Sequence, residues 1–124
     1  MDKYEILKQY FGDEDFNEDD YEVYTDEEAT QKAREIILDS LWAFNASFIL
    51  SHSKIDMDEK YLTKIQGDLC EGANDLVRSM IDDIDDFVDD AISSDGRGHF
   101  MNTYDGEENE IKVDGEYYYI YRIN

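Results

Sequence analysis

The sequence contains no proline, a single cysteine and only 11 basic residues among its 124 positions. The absence of proline is compatible with a helix-rich chain, because proline interrupts helices. The lone cysteine, Cys70, excludes an intrachain disulfide, and neither a second cysteine nor paired histidines suggests a zinc site. We therefore expect a reducing, cytoplasmic environment, with no metal and no cofactor.

Long hydrophobic runs are missing as well. The most apolar stretch, Ile36 to Leu50, is 15 residues long and includes Asp39, Asn45 and two serines. It is too short and too polar to span a bilayer. The first residues lack the basic flank and apolar run of a signal peptide, which predicts a mature start. We expect no association with a membrane.

Negative charge is what the chain has in excess. Its 33 acidic residues give a formal net charge of -22. Such a charge repels phosphates, which argues against direct binding to nucleic acid and points to basic surfaces as partners. Hydrophobic residues still make up 41% of the chain and aromatic residues 14%, which is too apolar for a charge-driven disordered protein. The chain should therefore fold.

Hydrophobic periodicity predicts an α+β fold in a single domain, residues 1–124. We expect a bundle of three to four helices around a central helix, followed by a small C-terminal antiparallel β-hairpin or sheet. The predicted helices cover residues 3–11, 26–51, 57–71 and 75–92, and the hairpin covers residues 110–122. The segment 26–51 is apolar around most of its circumference, which is typical of a core helix.

Local signals set several of these boundaries. Gly12 can adopt the left-handed conformation that ends the first helix. The segment Thr25 to Glu28 is a T-x-x-E capping box, and Asn74 is expected to cap the last helix. In the hairpin, Asp114-Gly115 suits a two-residue type I′ turn. Cys70 adjoins an apolar stripe, so we interpret it as a small packing residue.

The helix predicted at 75–92 has one apolar face and one acidic face. Its acidic face is formed by Asp82, Asp83, Asp85, Asp86, Asp89 and Asp90. Like charges at these spacings cost about 0.2 to 0.5 kcal/mol per pair, so the sequence accepts a local penalty. Carboxylates three or four residues apart lie roughly 5 to 6 Å apart along a helix, comparable to neighbouring phosphates on one nucleic-acid strand. This pattern favours mimicry of a nucleic acid.

The remaining acids are clustered too. Ten lie in residues 13–28, six in 82–90 and six in 105–116, opposed in these windows only by Lys112. The first cluster predicts an acidic loop at 13–22 that Phe16 and Tyr21 hold to the body. Most charge runs are solvated helix faces, but an acidity that served only solubility would be interspersed with cations. The clustering favours an acidic surface with a function.

Two likenesses follow from these features. In charge and size the chain resembles the DNA-mimic inhibitors of phages and mobile elements, the small acidic anti-restriction and anti-CRISPR proteins. The stretches Leu41 to Phe48, Asp95 to Phe100 and Tyr104 to Glu108 are similar to those of small phage and prophage proteins. The resemblance implies a phage origin and an inhibitor acting in the bacterial host cytoplasm. It assigns no role to a particular residue.

The only catalytic-looking cluster is Asp95, Arg97 and His99 on a glycine-rich turn. We favour a structural interpretation, in which Gly96 ends the preceding helix while Arg97 and His99 complement its negative C-terminal dipole. No nucleophile and base lie together, so we expect no catalytic residue and no enzyme. EF-hand-like runs that start at Asp105 and Asp13 lack the glycine required at their sixth position.

The leading hypothesis is therefore a DNA-mimic inhibitor that blocks the nucleic-acid groove of a host defence nuclease, either a restriction enzyme or a CRISPR effector. Its partner-binding residues are expected to be Asp82, Asp83, Asp85, Asp86, Asp89 and Asp90, with Asp13, Glu14, Asp15, Glu18, Asp19 and Asp20. The alternative is an acidic adaptor that binds a protein, or a second copy of itself in a homodimer, through its aromatic last strand. That strand carries Tyr117, Tyr119 and Tyr121 on one face.

Overall fold

The computed structural model describes residues 2–124 and has an α+β fold, as predicted. The helices are α1 (Lys3–Phe11), α2 (Asp26–Asp39), α3 (Ala46–Ser51), α4 (Glu59–Leu69), α5 (Asn74–Met80), α6 (Ile84–Asp95) and α7 (Arg97–Met101). The strands are β1 (Tyr21–Tyr24), β2 (Asn109–Val113) and β3 (Glu116–Arg122). The chain divides into two compact units, one of residues up to Ala33 with Asp95–Asn124 and one of Arg34–Ser94. The single domain over 1–124 stays a prediction.

The first unit is built on an antiparallel sheet in the order β1–β3–β2. The apolar side of helix α1 supplies Ile6 and Leu7, which are buried with Ile120 from the central strand. Phe11, Phe16 and Ile111 pack against this cluster. The alternation of side chains along a strand places Ile120 on the side of the sheet that packs on α1 and its neighbours Tyr119 and Tyr121 on the opposite side.

The predicted hairpin is confirmed, and its strands are β2 and β3. Asp114 and Gly115 have φ values of 52° and 85°, the two positive angles that a type I′ turn requires. The turn fixes the register, which sets Val113 opposite Glu116 and Ile111 opposite Tyr118.

Two predicted helix boundaries in this unit are confirmed as well. Gly12 has a φ of 63° and donates its N–H to the carbonyl of Lys8, which closes α1. The side chains of Thr25 and Glu28 exchange hydrogen bonds with each other's backbone N–H at 3.3 and 2.9 Å. This reciprocal capping box satisfies amides that the first turn of α2 leaves free.

The predicted acidic loop at 13–22 extends too far. Tyr21–Tyr24 forms strand β1, which pairs with β3, because Tyr and Val suit a pleated and half-buried surface. Phe16 and Tyr21 do attach this segment to the body, since both rings lie 5.1 Å from the ring of Phe11.

In the second unit, the single helix predicted at 26–51 is wrong. Helix α2 ends at Asp39, a 3-10 turn follows at Leu41–Ala43, and α3 begins at Ala46. The side chain of Asn74 bonds to backbone groups of this break, so Asn74 does not cap a helix as predicted. The amide of Gln66 also donates to the carbonyls of Trp42 and Phe44, at 2.8 and 2.6 Å. Distant side chains therefore replace the missing helical hydrogen bonds.

The other two predicted helices are also revised. The helix expected at 57–71 is α4, which begins after Asp58, whose side chain accepts the N–H of Lys60. The helix expected at 75–92 is wrong as a continuous element, because α5 ends at Met80 and α6 begins at Ile84. Ile81 adopts an extended conformation and forms an antiparallel bridge with Ser53. No helix among residues 2–124 has the length and apolarity needed to cross a membrane.

Candidate acidic interaction site

The acidic residues predicted on one helix face lie on two kinds of backbone. Asp85, Asp86, Asp89 and Asp90 belong to α6 and are exposed, as predicted. Asp82 and Asp83 are exposed too, but they precede the helix, so their placement on the same helical face is wrong. The reason is the extended residue Ile81, whose side chain is buried with an exposure of 5%. We call these six aspartates the acidic site.

Asp83 positions the start of α6. Its side-chain oxygen accepts the backbone N–H groups of Asp85 and Asp86, at 3.0 and 3.2 Å. A carboxylate at this place satisfies free amides and complements the positive end of the helix dipole. Asp83 therefore stabilises the helix that presents the other carboxylates.

Two of the helical aspartates have side-chain partners. Asp85 forms a 2.7 Å ion pair with Arg34, and Asp90 lies 2.7 Å from the Nε2 atom of His52. The imidazole is largely buried, with 17% of its side chain exposed, and it contacts the rings of Phe48 and Phe87. These contacts hold the side chains of Asp85 and Asp90 in place, and the ion pair with Arg34 offsets the charge of Asp85.

The other three aspartates of the acidic site are Asp82, Asp86 and Asp89. Their side chains make no hydrogen bond or ion pair with any residue that the structure describes, and all three are exposed. The opposite side of α6 is buried through Phe87, Val88 and Ala91, and this packing restrains the helix. The three carboxylates thus lie on or next to a packed helix and are free to accept hydrogen bonds.

A small polar depression adjoins the site. It has a volume of about 230 Å³ and is lined by Ser51, His52, Ser53, Asp82, Asp83 and Asp86. Within residues 2–124, no group of three His, Cys, Asp or Glu side chains has an arrangement that could hold a metal ion.

The predicted loop residues belong to the other unit. Asp13, Glu14, Asp15, Glu18 and Asp19 are exposed, whereas Asp20 is half-buried. The carboxylate of Asp20 accepts the side-chain amide of Asn124 at 3.2 Å, and its carbonyl accepts the N–H of Ile123 at 2.8 Å. Asn17 caps the short 3-10 turn at Glu18–Asp20. Asp20 is thus a structural residue, while the five others are accessible.

The glycine-rich turn has a structural role, although it differs from the predicted one. Gly96 has a φ of 82° and follows α6, as expected. Arg97 does not serve as a complement to the helix dipole, because its guanidinium is 11% exposed and bonds to residues far away in sequence. It donates to the carboxylates of Asp26 and Glu108, both at 2.8 Å, and to the hydroxyl of Thr30 at 3.1 Å.

The groups around Arg97 are mutually satisfied. Burial opposes the charge of Arg97, but the carboxylates of Glu108 and Asp26 outweigh it and hold the pKa of the guanidinium above its ordinary value. The hydroxyl of Tyr121 donates to the same Glu108 carboxylate. The ring of Tyr119 lies 4.6 Å below the guanidinium, a favourable cation–π contact. The cluster binds the unit together and leaves the guanidinium little capacity for a substrate.

The aromatic face of the last strand is mostly covered. Tyr121 is fully buried, Tyr119 is half-buried, and Tyr117 is 47% exposed. An adaptor surface on this face would therefore rest on Tyr117 alone.

Cys70 also departs from its predicted role as a packing residue, because it is exposed and ends α4 with a φ of 48°.

Sequence reasoning missed an open cleft in the second unit. Its volume is about 390 Å³, and Trp42, Phe44, Asn45, Glu59, Thr63 and Gln66 are among the residues that line it. The cleft exists because the chain breaks after α2. The signal that was available is Asn45, whose amide suits a helix N-terminus better than a helix interior.

Comparisons with known proteins give no relative for this site. No protein-family model, no curated protein and no solved structure matches the chain.

Proposed function

We propose that this protein is a non-enzymatic, DNA-mimic inhibitor that acts in the cytoplasm of a bacterial host. It would place the acidic site in the basic nucleic-acid groove of a defence nuclease and compete with the nucleic acid for that groove. The observation that carries the proposal is the set of three exposed carboxylates, Asp82, Asp86 and Asp89, that have no partner in the described chain. Both restriction enzymes and CRISPR effectors have grooves of this kind.

Charge density supports the comparison with a duplex. Four aspartates of α6, Asp85, Asp86, Asp89 and Asp90, fall within about 9 Å of helix axis, which is one carboxylate per roughly 2.3 Å. A DNA duplex carries one charge per roughly 1.7 Å. The ion pair of Asp85 with Arg34 lowers the density of negative charge on the helix. Asp82 and the net charge of -22 are therefore needed to extend the negative electrostatic field.

Rigidity supports the proposal as well. A mimic gains affinity when its charged groups are held in place before binding, because less conformational entropy is lost. The buried side of α6, the cap at Asp83 and the contacts of His52 provide this restraint. We assign Asp83, Asp85 and Asp90 to positioning, and Asp82, Asp86 and Asp89 to contact with arginine or lysine of the target.

The test is a competition measurement on the purified protein. Each of several restriction enzymes and CRISPR effectors is incubated with a labelled duplex that carries the recognition sequence of that enzyme. Displacement of the duplex by the protein is followed by fluorescence anisotropy. The variant Asp82→Asn, Asp86→Asn, Asp89→Asn should bind the inhibited target at least about 100-fold more weakly, since charged hydrogen bonds across an interface are lost. The affinity of the unaltered protein should fall steeply as salt is raised.

A control with the same change of charge separates the site from net charge. Asp56→Asn, Glu71→Gln and Asp75→Asn also remove three exposed carboxylates from the second unit, and none of them has a side-chain partner among the described residues. This control should retain most of the affinity. Equal losses in the two triple variants, or inhibition that is unchanged by the first, would contradict the proposal.

The acidic loop is tested separately, because it belongs to the first unit. Replacing Asp13, Glu14 and Asp15 by their amides should weaken the competition if the loop also meets the target. The effect should be smaller than that of the α6 variant, since the loop is held by the ring contacts of Phe16 and by no helical scaffold.

A further inference from the structure

Strand β2 lies at one edge of the sheet in the first unit. The order β1–β3–β2 gives it a partner on one side, and Asn109–Val113 makes no backbone hydrogen bond with described residues outside β3. An edge of this kind presents a row of N–H and C=O groups to which another strand can add. Its outer groups are therefore available to pair with another extended chain.

The hairpin turn determines which residues offer those groups. In a two-residue type I′ turn, Val113 and Glu116 form the hydrogen-bonded pair that closes the hairpin. Hydrogen-bonded and non-hydrogen-bonded pairs alternate along an antiparallel ladder, so Ile111 also points its backbone groups toward β3. The N–H and C=O groups of Glu110 and Lys112 consequently point outward.

The side chains of these two residues carry opposite charges. Glu110 and Lys112 lie on the same face of the sheet and both are exposed, with Ile111 between them. Glu110 lies directly opposite Tyr119 of β3, and the ammonium of Lys112 lies 5.4 Å from the ring of Tyr117. Both charged residues are thus placed beside the free edge.

We propose that β2 pairs with β2 of a second copy of this chain, antiparallel and with the two-fold axis at Ile111. In that register, Glu110 of each chain lies opposite Lys112 of the other, and each pair exchanges two backbone hydrogen bonds. The arrangement joins two three-stranded sheets into one. This inference does not depend on the proposed inhibitor function.

Within Asn109–Val113, charge favours this register over its neighbours, and the nearby carboxylate of Glu108 is already engaged by Arg97 and Tyr121. A shift of two residues in either direction sets Glu110 against Glu110 of the second copy, or Lys112 against Lys112. Parallel pairing in register does the same. Like charges directly opposite each other are destabilising, whereas opposite charges stabilise the pair. The opposite edge strand, β1, contains Glu22 and no basic residue, so it lacks this complementarity.

The test uses charge reversal on the full chain. The variants Glu110→Lys and Lys112→Glu each place like charges opposite each other in both symmetric pairs. Each variant alone should self-associate about tenfold more weakly than the unaltered protein in sedimentation equilibrium. The two variants mixed in equal amounts should associate as strongly as the unaltered protein, because every pair is then complementary again.

Controls keep the net charge matched. Lys60→Glu and Glu71→Lys change the charge by the same amounts at exposed positions of the second unit, and each should associate more strongly than the corresponding β2 variant. Measurements at about 0.3 M salt reduce the repulsion between two chains of the same sign. Circular dichroism verifies that each variant is folded.

Hydrogen exchange gives a second measurement at the edge itself. The amides of Glu110 and Lys112 should gain protection as the protein concentration rises, whereas the amides of β1 should not. The proposal is overturned if the unaltered protein remains monomeric up to about 1 mM, if the mixture of variants associates no better than either alone, or if protection appears at β1 instead.

Discussion

The side-chain oxygen of Asn74 accepts the backbone N–H of Trp42 at 3.2 Å, although the two residues lie on different elements. The nitrogen of the same amide donates to the carbonyl of Leu38 at 2.8 Å. Both backbone groups would otherwise be unsatisfied, because α2 ends at Asp39. One amide thus satisfies both sides of the break that separates α2 from the 3-10 turn.

Replacing this amide should destabilise the second unit. The change Asn74→Ala leaves a half-buried N–H and a carbonyl without partners, and we expect a loss of about 2 kcal/mol in the free energy of unfolding. Urea denaturation followed by circular dichroism measures it. The neighbouring change Asp75→Ala affects an exposed side chain without a described partner and serves as the control. Similar unfolding midpoints for both variants would contradict this role of Asn74.

Arg97 should be equally important in the first unit. The change Arg97→Lys keeps the charge but loses the planar fork that reaches Asp26 and Glu108 together. We expect a loss of about 2 kcal/mol in unfolding free energy, since charged hydrogen bonds of a largely buried group are broken. Arg78→Lys, at an exposed position, should change stability by less than about 0.5 kcal/mol. A destabilisation of the same size in both variants would refute the assigned role.

The contacts of Asn74 and Arg97 could not be predicted from the sequence, because their partners are distant along the chain. The ends of elements that depend on adjacent residues were predictable, as the capping box of Thr25 and Glu28 and the turn at Asp114-Gly115 demonstrate. Periodicity continues across the breaks in 26–51 and 75–92, so it indicated unbroken helices there. What ends those helices is distant: Asn74 and Gln66 in one case, and the bridge between Ser53 and Ile81 in the other.

The same limit applies to the acidic site. Composition and spacing predicted that its aspartates would be exposed, which the structure confirms. They did not predict that Arg34 and His52 would pair with Asp85 and Asp90, because those partners come from other elements of the unit. The three carboxylates without a partner can therefore be identified only from the folded structure.

Gly98 should tolerate no side chain. A Cβ atom at this position would lie 2.4 Å from the carbonyl oxygen of Gly106 and 2.9 Å from the carbonyl carbon of Glu107. The backbone must move to admit it, and Gly98→Ala should cost about 3 kcal/mol in unfolding free energy. Gly67→Ala is the control, because open space surrounds that position in α4 and alanine favours a helix by about 0.5 to 1 kcal/mol. A stable Gly98→Ala protein would show that the close approach of α7 to Gly106 and Glu107 is not required.

Stability should fall as the pH rises above about 10 because of Tyr121. Burial and the hydrogen bond to the carboxylate of Glu108 raise the pKa of this phenol above its ordinary value, so the folded chain keeps its proton where the unfolded chain loses it. The unfolded state then binds fewer protons, and the free energy of unfolding decreases with pH. The contribution is fully present below the unfolded pKa of about 10 and is lost as the pH rises toward the folded value.

Urea midpoints measured between pH 8 and 11 follow this loss. The change Tyr121→Phe removes the phenol and should make the decline less steep, even though the protein is less stable at pH 8 because Glu108 loses a donor. Tyr117→Phe is the matched control at an exposed position, and it should leave the slope of the unaltered protein in place. If the decline with pH were as steep in Tyr121→Phe as in the unaltered protein, ionisation of Tyr121 would not be its cause.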